Sequence, residues 1–116
     1  MPEMDELLAI FDTELKRGTL TLIVLSELRK PQYGYSLIQN IAEKQVEIDA
    51  GTLYPMLRRL EKQGILLSDW DTAESRPRKY YKLSPTGEML FVRLKENWGI
   101  LSQNMNKILG EANEND

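Results

Sequence analysis

The chain has 116 residues, 41% hydrophobic and 28% charged, enough for one domain with a modest core and ordinary for a soluble globular protein. It has no cysteine and no histidine, which excludes disulfides, thiolate nucleophiles, cysteine zinc sites and the usual general base together. No apolar run approaches the roughly 18 residues that cross a bilayer and the first residues are acidic, so a cytoplasmic location without a membrane partner is expected. The net charge of −3 argues against a polyanionic partner, but it is unevenly placed. Residues 1–15 carry five acids and no base, whereas Arg76 to Lys82 carries four bases and no acid. Local field counts for more than the sum when the partner is a phosphate backbone.

From about Met4 to Arg29 the spacing predicts helix, with Leu7, Leu8, Phe11 and Leu15 on one apolar stripe. A denser apolar stretch, Leu20 to Leu28, follows Gly18, and Lys30-Pro31-Gln32 ends the helix because proline disfavours helix in the residue before it. A second helix, Tyr35 to Lys44, turns Leu37, Ile38, Ile41 and Ala42 inward. Gln45 to Ile48 alternates and reads as one small strand. Asp49 then stands as the N-cap of a third helix that ends at Gly64.

At 100° per residue this third helix puts Leu53, Met56, Leu57 and Leu60 on one side. Gly51, Pro55, Arg58 and Lys62 lie opposite, with Tyr54 and Arg59 on the flanks. Pro55 lacks an amide to bond back to Gly51, so either the helix kinks there or its regular part begins nearer Thr52. Ile65 to Trp70 and Arg78 to Leu83 read as two strands joined by the loop DTAESRP. Ser84-Pro85-Thr86 opens a last helix, Thr86 to Gly110, whose apolar residues Leu90, Leu94, Trp98, Leu101, Met105 and Ile108 follow a near-heptad stripe.

The order of elements is that of a winged helix-turn-helix: mainly α with a small β-hairpin, plus a C-terminal dimerisation helix. The expected division is an N-terminal helical extension at 1–16, a DNA-binding domain at 17–85, the dimerisation helix at 86–110 and an acidic tail at 111–116.

Arg58, Arg59 and Lys62 alone describe a solvated helix face as well as a DNA-binding one. Tyr54 shifts the balance, because an exposed tyrosine is costly unless something covers it or it bonds a phosphate. The hairpin adds independent weight, since Arg76, Arg78, Lys79 and Lys82 repel one another without an anion. Together these elements point to double-stranded DNA.

The stripe on the last helix is too long for a small core to cover, so a second copy is expected to cover it with its own last helix and the Leu7–Leu15 stripe. A two-fold dimer suits a palindromic operator with half-sites roughly 34–36 Å apart. Trp98 reads as an interface tryptophan or, with Phe11, as the wall of a pocket for a planar ligand. With no nucleophile–base pair and no glycine-rich phosphate loop, no enzyme activity, cofactor or metal is expected.

RGTLTLIVLSEL (Arg17–Leu28), YGYSLIQNI (Tyr33–Ile41), GTLYPMLRRLEKQGIL (Gly51–Leu66) and RPRKYYKLSPTG (Arg76–Gly87) resemble the PadR family of bacterial transcriptional regulators, in particular its small subfamily with one helix after the wing. The resemblance implies a homodimeric winged-helix repressor. It also implies DNA contacts from the start of the second helix (Tyr33, Gly34, Tyr35, Ser36), from the recognition helix (Thr52, Tyr54, Pro55, Arg58) and from the wing (Arg76, Arg78, Lys79). In some drug-sensing members a tryptophan placed like Trp98 lines an inter-subunit pocket, so release by a planar inducer is implied too. Ser75 departs from a glycine common in the wing, and Met1 to Leu15 has no counterpart matched from sequence. The alternative from another class is a winged-helix protein-interaction module without DNA binding.

Overall fold

A computed structural model describes residues 2–111, with the side chains of 3–110, so the expected acidic tail after its first residue falls outside the described residues. The elements are α1 (Pro2–Glu27), β1 (Gln32–Tyr33), α2 (Gly34–Ala42), α3 (Ala50–Lys62), β2 (Leu66–Asp71), β3 (Arg78–Leu83), α4 (Pro85–Asn106) and a closing π-helical turn (Lys107–Glu111). β3 is the central strand of a three-stranded antiparallel sheet in the order β1-β3-β2. This is a winged helix-turn-helix with one long helix on each side of it in sequence. No helix among the described residues is long and apolar enough to cross a membrane.

The core gathers the last turn of α1 (Val24, Leu25) and Leu28 just after it, the inner faces of α2 (Leu37, Ile41) and α3 (Leu53, Met56, Leu57, Leu60), the sheet residues Leu66, Tyr81 and Leu83, and Phe91 of α4. α1 runs without interruption through Gly18, so residues 2–16 and those that follow to Glu27 share one helix. Ala42, expected inward, is exposed because α2 ends there.

Gln45 to Ile48 forms no strand. Gln45 takes a left-handed conformation (φ 68°), which lets its amide reach the Ala42 carbonyl (3.0 Å) and the Val46 amide reach Ile41 (3.4 Å). That is a Schellman end to α2, and it spends the backbone groups a strand would need. α3 ends in the same way at Gly64 (φ 79°), with Ile65 bonding to Leu60 (2.9 Å). The third strand comes instead from Gln32 and Tyr33, which pair with Tyr81 and Tyr80.

The start of α4 is locked to the root of the wing. The Ser84 hydroxyl donates to the Gly64 carbonyl (2.6 Å) and accepts from the Gly87 amide (3.0 Å), while the Ser84 amide donates to Ile65 (2.9 Å). Gly87 lies so close to this turn that a Cβ would sit 2.2 Å from the Ile65 carbonyl oxygen.

Two substitutions test these backbone constraints by urea unfolding. Gly87→Ala should cost about 3 kcal/mol, the upper end for forcing a methyl into a packed site. Gln45→Gly should raise stability by about 1 kcal/mol, since glycine adopts the left-handed region without the Cβ penalty.

Candidate nucleic-acid interface

α3 begins where Asp49 Oδ1 accepts from the Thr52 amide (2.7 Å), an N-cap that settles the first turn. Leu53, Met56, Leu57 and Leu60 are buried, as their spacing dictates. Gly51, Thr52, Pro55, Arg58, Arg59 and Lys62 are exposed on the outer side. The helix starts at Ala50 and continues through Pro55, so its regular part does not wait for Thr52. The Gly51 carbonyl it leaves unpaired is on the exposed face, within reach of water, and Gly51 has no Cβ to crowd the turn.

Tyr54 is half-buried rather than free. Its ring lies on the first residue of α2, where a Cβ on Gly34 would come within 2.6 Å of Tyr54 Cε1. The cover that the sequence reading sought in DNA is supplied by this glycine. The contact also fixes the start of α2 against α3.

The wing sorts its basic residues by strand parity. On one face of β3 the Arg78 guanidinium lies 4.2 Å from the Tyr33 ring centroid, donates to Tyr35 Oη (2.7 Å) and meets Glu74 (3.5 Å). Tyr33 stacks with Tyr35 at 6.1 Å and meets Tyr80 edge-on, and its hydroxyl donates to Asp71. On the other face the Lys79 ammonium reaches Glu61 of α3 (3.3 Å), which also accepts from the Ser68 hydroxyl. Arg76 and Lys82 are exposed.

For Arg78 and Lys79 the expectation that these cations face one another without an anion is therefore corrected, because Glu74 and Asp71 lie by the first and Glu61 by the second. The register shows the missed signal: Asp71 lies directly opposite Arg78 across the hairpin, and Glu74 is four residues before it. Ser75 needs no glycine, since among the described residues only Gln45 and Gly64 have positive φ.

The apolar stripes expected from sequence divide in two. Leu7, Leu8, Phe11 and Leu15 are exposed along the first half of α1, Leu15 to 74%. Trp98 (45%), Leu101, Met105 and Ile108 are exposed along the second half of α4 and the turn after it. Leu90 and Leu94, expected in the same stripe, pack partly on the chain's own core, because α4 lies against it as far as that point. Exposed Ile10, Ile100 and Leu109 extend the two surfaces beyond the stripes read from sequence. Among the described residues no ring contact joins Phe11 to Trp98 within one chain.

Two carboxylates give the wing a pH dependence. The Tyr33 hydroxyl, then the Ala73 amide, hold Asp71 below the ordinary carboxylate range, and the same bond raises the Tyr33 hydroxyl. The Ser68 hydroxyl, then Lys79, lower Glu61 against the opposing effect of burial. A depressed carboxylate adds stability that is present above its unfolded pKa and lost as pH falls through the folded one. Thermal melts from pH 7 down to pH 3 should therefore show wild type losing more stability than Tyr33→Phe, with the difference arising below about pH 4.

A family model described as the transcriptional regulator PadR-like family matches residues 21–93. A solved structure of a PadR family transcriptional regulator from Eggerthella lenta is 40% identical, covers 96% of this chain and 99% of its own, and superposes with a TM-score of 0.87. At that coverage most of the N-terminal segment, which has no counterpart matched from sequence, has one in structure. A transcriptional regulator from Clostridium thermocellum is 32% identical over 83% of this chain and 98% of its own, with a TM-score of 0.77. Transcriptional regulator Rv3488 of Mycobacterium tuberculosis is 30% identical over 98 residues, 84% of this chain and 89% of its own. The match to the family model, the identity of these relatives and the shared fold agree: the chain belongs to the PadR-like family of transcriptional regulators.

Proposed function

We propose that this PadR-like regulator is a homodimeric repressor that binds a palindromic duplex through α3, the start of α2 and the wing. The observation that carries the reading is α3. Its leucines are consumed by the core, and its outer side presents Thr52, Pro55, Arg58, Arg59 and Lys62 with no acid among them. A helix of this width enters a major groove about 12 Å wide, and its cations meet phosphates at the groove edge. Tyr54 supports the helix from the side and abuts base edges. Tyr33, Tyr35, Ser36, Arg76 and Arg78 flank it and position the protein on the backbone.

The shape of one chain supports the dimer. Its radius of gyration is 17.4 Å, against roughly 13 Å for a compact domain of this length. Its accessible surface is 8767 Å², against roughly 6,500 Å² for a folded monomer of this mass. The excess is of the order that obligate dimers take from each protomer, and the exposed apolar residues of α1 and α4 sit where it arises. Trp98 and Phe11, exposed on those two surfaces, support release by a planar aromatic inducer held between subunits.

Fluorescence anisotropy with duplexes from upstream of its own gene, across a salt series, tests the DNA reading. With about eight phosphates neutralised per dimer the log–log slope should be near −7. Arg58→Ala should weaken binding to every duplex and flatten the slope by about two, because each protomer loses one phosphate contact. A folded dimer that retards no duplex at low salt would instead favour a protein-interaction module. Sedimentation should show wild type as a dimer and Leu101→Glu as a monomer, since burying that carboxylate against an apolar face is costly. Planar dyes should quench Trp98 but not Trp70, which a Trp98→Ala control separates.

A further inference from the structure

We propose that Glu61 is a positioning residue for DNA recognition, tying the wing to the recognition helix through Ser68 and Lys79, and that Lys79 serves this tie rather than a phosphate. The inference rests on the DNA-binding reading above. Glu61 is the single acid of α3 and stands in its last turn, beside the cationic outer face. Left free there, a carboxylate would repel a phosphate backbone. Instead two wing groups close on it: the Ser68 hydroxyl from β2 and the Lys79 ammonium, 3.3 Å away, from β3. Both ends of the ion pair are about one-third exposed, 31% for Lys79 and 33% for Glu61, so salt screens the pair less than one in open solvent.

Strand parity decides which basic residue faces the Tyr33–Tyr35 side. Adjacent residues of β3 point to opposite faces, so Arg78 and Lys79 cannot both meet the duplex on the Tyr33–Tyr35 side. Arg78 takes that side, and Lys79 takes the face continuous with the core, where Ser68 lies opposite Tyr81 and Trp70 opposite Lys79. The Lys79 ammonium also sits 5.4 Å from the ring centroid of buried Tyr81, a second anchor on the same face. Beyond this point the wing is a two-stranded ribbon, which twists freely unless held. The tie to Glu61 thus sets the angle between wing and α3. That angle determines whether both elements reach their grooves in one register, which is a matter of specificity rather than of charge.

The test compares the full-length protein on a duplex selected from a random-sequence pool and on a scrambled duplex of the same length, across a salt series. Lys79→Met keeps the aliphatic stem over Tyr81 and removes the charge. It should lower affinity for the selected duplex about tenfold, the effect of a modest ion pair lost in both protomers. Binding to the scrambled duplex and the salt slope should stay unchanged. An equal loss on both duplexes, with a slope flatter by about two, would make Lys79 a phosphate contact and overturn the inference.

The charge exchange Glu61→Lys with Lys79→Glu should restore the selected-duplex affinity to near wild type. A further loss instead of rescue overturns the tie. Glu61→Gln keeps the Ser68 bond and serves if Lys79→Met does not fold; it should reduce selected binding alone, and unchanged selected binding overturns the inference. Wild type that binds neither duplex would overturn the DNA-binding reading itself, a result distinct from all of these.

Discussion

The alternation of side chains along β3 is the constraint on which the rest of the interface depends. At Tyr80 and Tyr81 this strand pairs on both edges, with β1 and with β2, and its pairing with β2 continues through Lys79 and Arg78, so backbone register sets which face each side chain takes. Leu83 and Tyr81 drive one face into the core, and the same parity sends Lys79 to Glu61 of α3. The other face carries Arg78 and Tyr80 to the tyrosines at the start of α2. A one-residue slip would exchange these two sets completely. The register therefore decides electrostatics as well as packing.

Close backbone approaches do the remaining positioning. Gly34 lets the Tyr54 ring lie on the start of α2, which sets the two helices of the helix-turn-helix against each other. Gly87 lets the first turn of α4 touch the Ile65 carbonyl, while Ser84 caps that turn and bonds the same segment. Each contact has no room for a methyl group. Together they fix where the apolar second half of α4 leaves the core, and hence where the proposed partner subunit would meet it.

Much of this was legible because it depends on local pattern. The leucine spacing of α3, the cap at Asp49 and the stop at Gly64 need only helical geometry and capping chemistry. Structure departs from local pattern where two local signals look alike. Gln45 to Ile48 alternates like a strand, yet a left-handed Gln45 turns it into a helix end, and glutamine carries no mark of that conformation. Gln32 and Tyr33 look like a loop after a proline, and only the neighbouring β3 makes them a strand. The basic wing read as a charge cluster because its anions come from α3 and from the hairpin's own loop.

By itself the sequence determined the family, the helices and the strands of the wing, since periodicity, caps and motif residues are properties of neighbours along the chain. It also determined that both long helices carry more apolar surface than one small core can take up. The tertiary structure alone decided that Tyr54 rests on Gly34, that Leu90 and Leu94 return to the chain's own core, and that Arg78 and Lys79 face different partners. Those outcomes depend on contacts between residues far apart in sequence: Gly34 meets Tyr54 across the α2–α3 link, and Glu61 meets Lys79 across the wing. A local pattern can say which residues carry charge, but only the fold can say which charges are already paired.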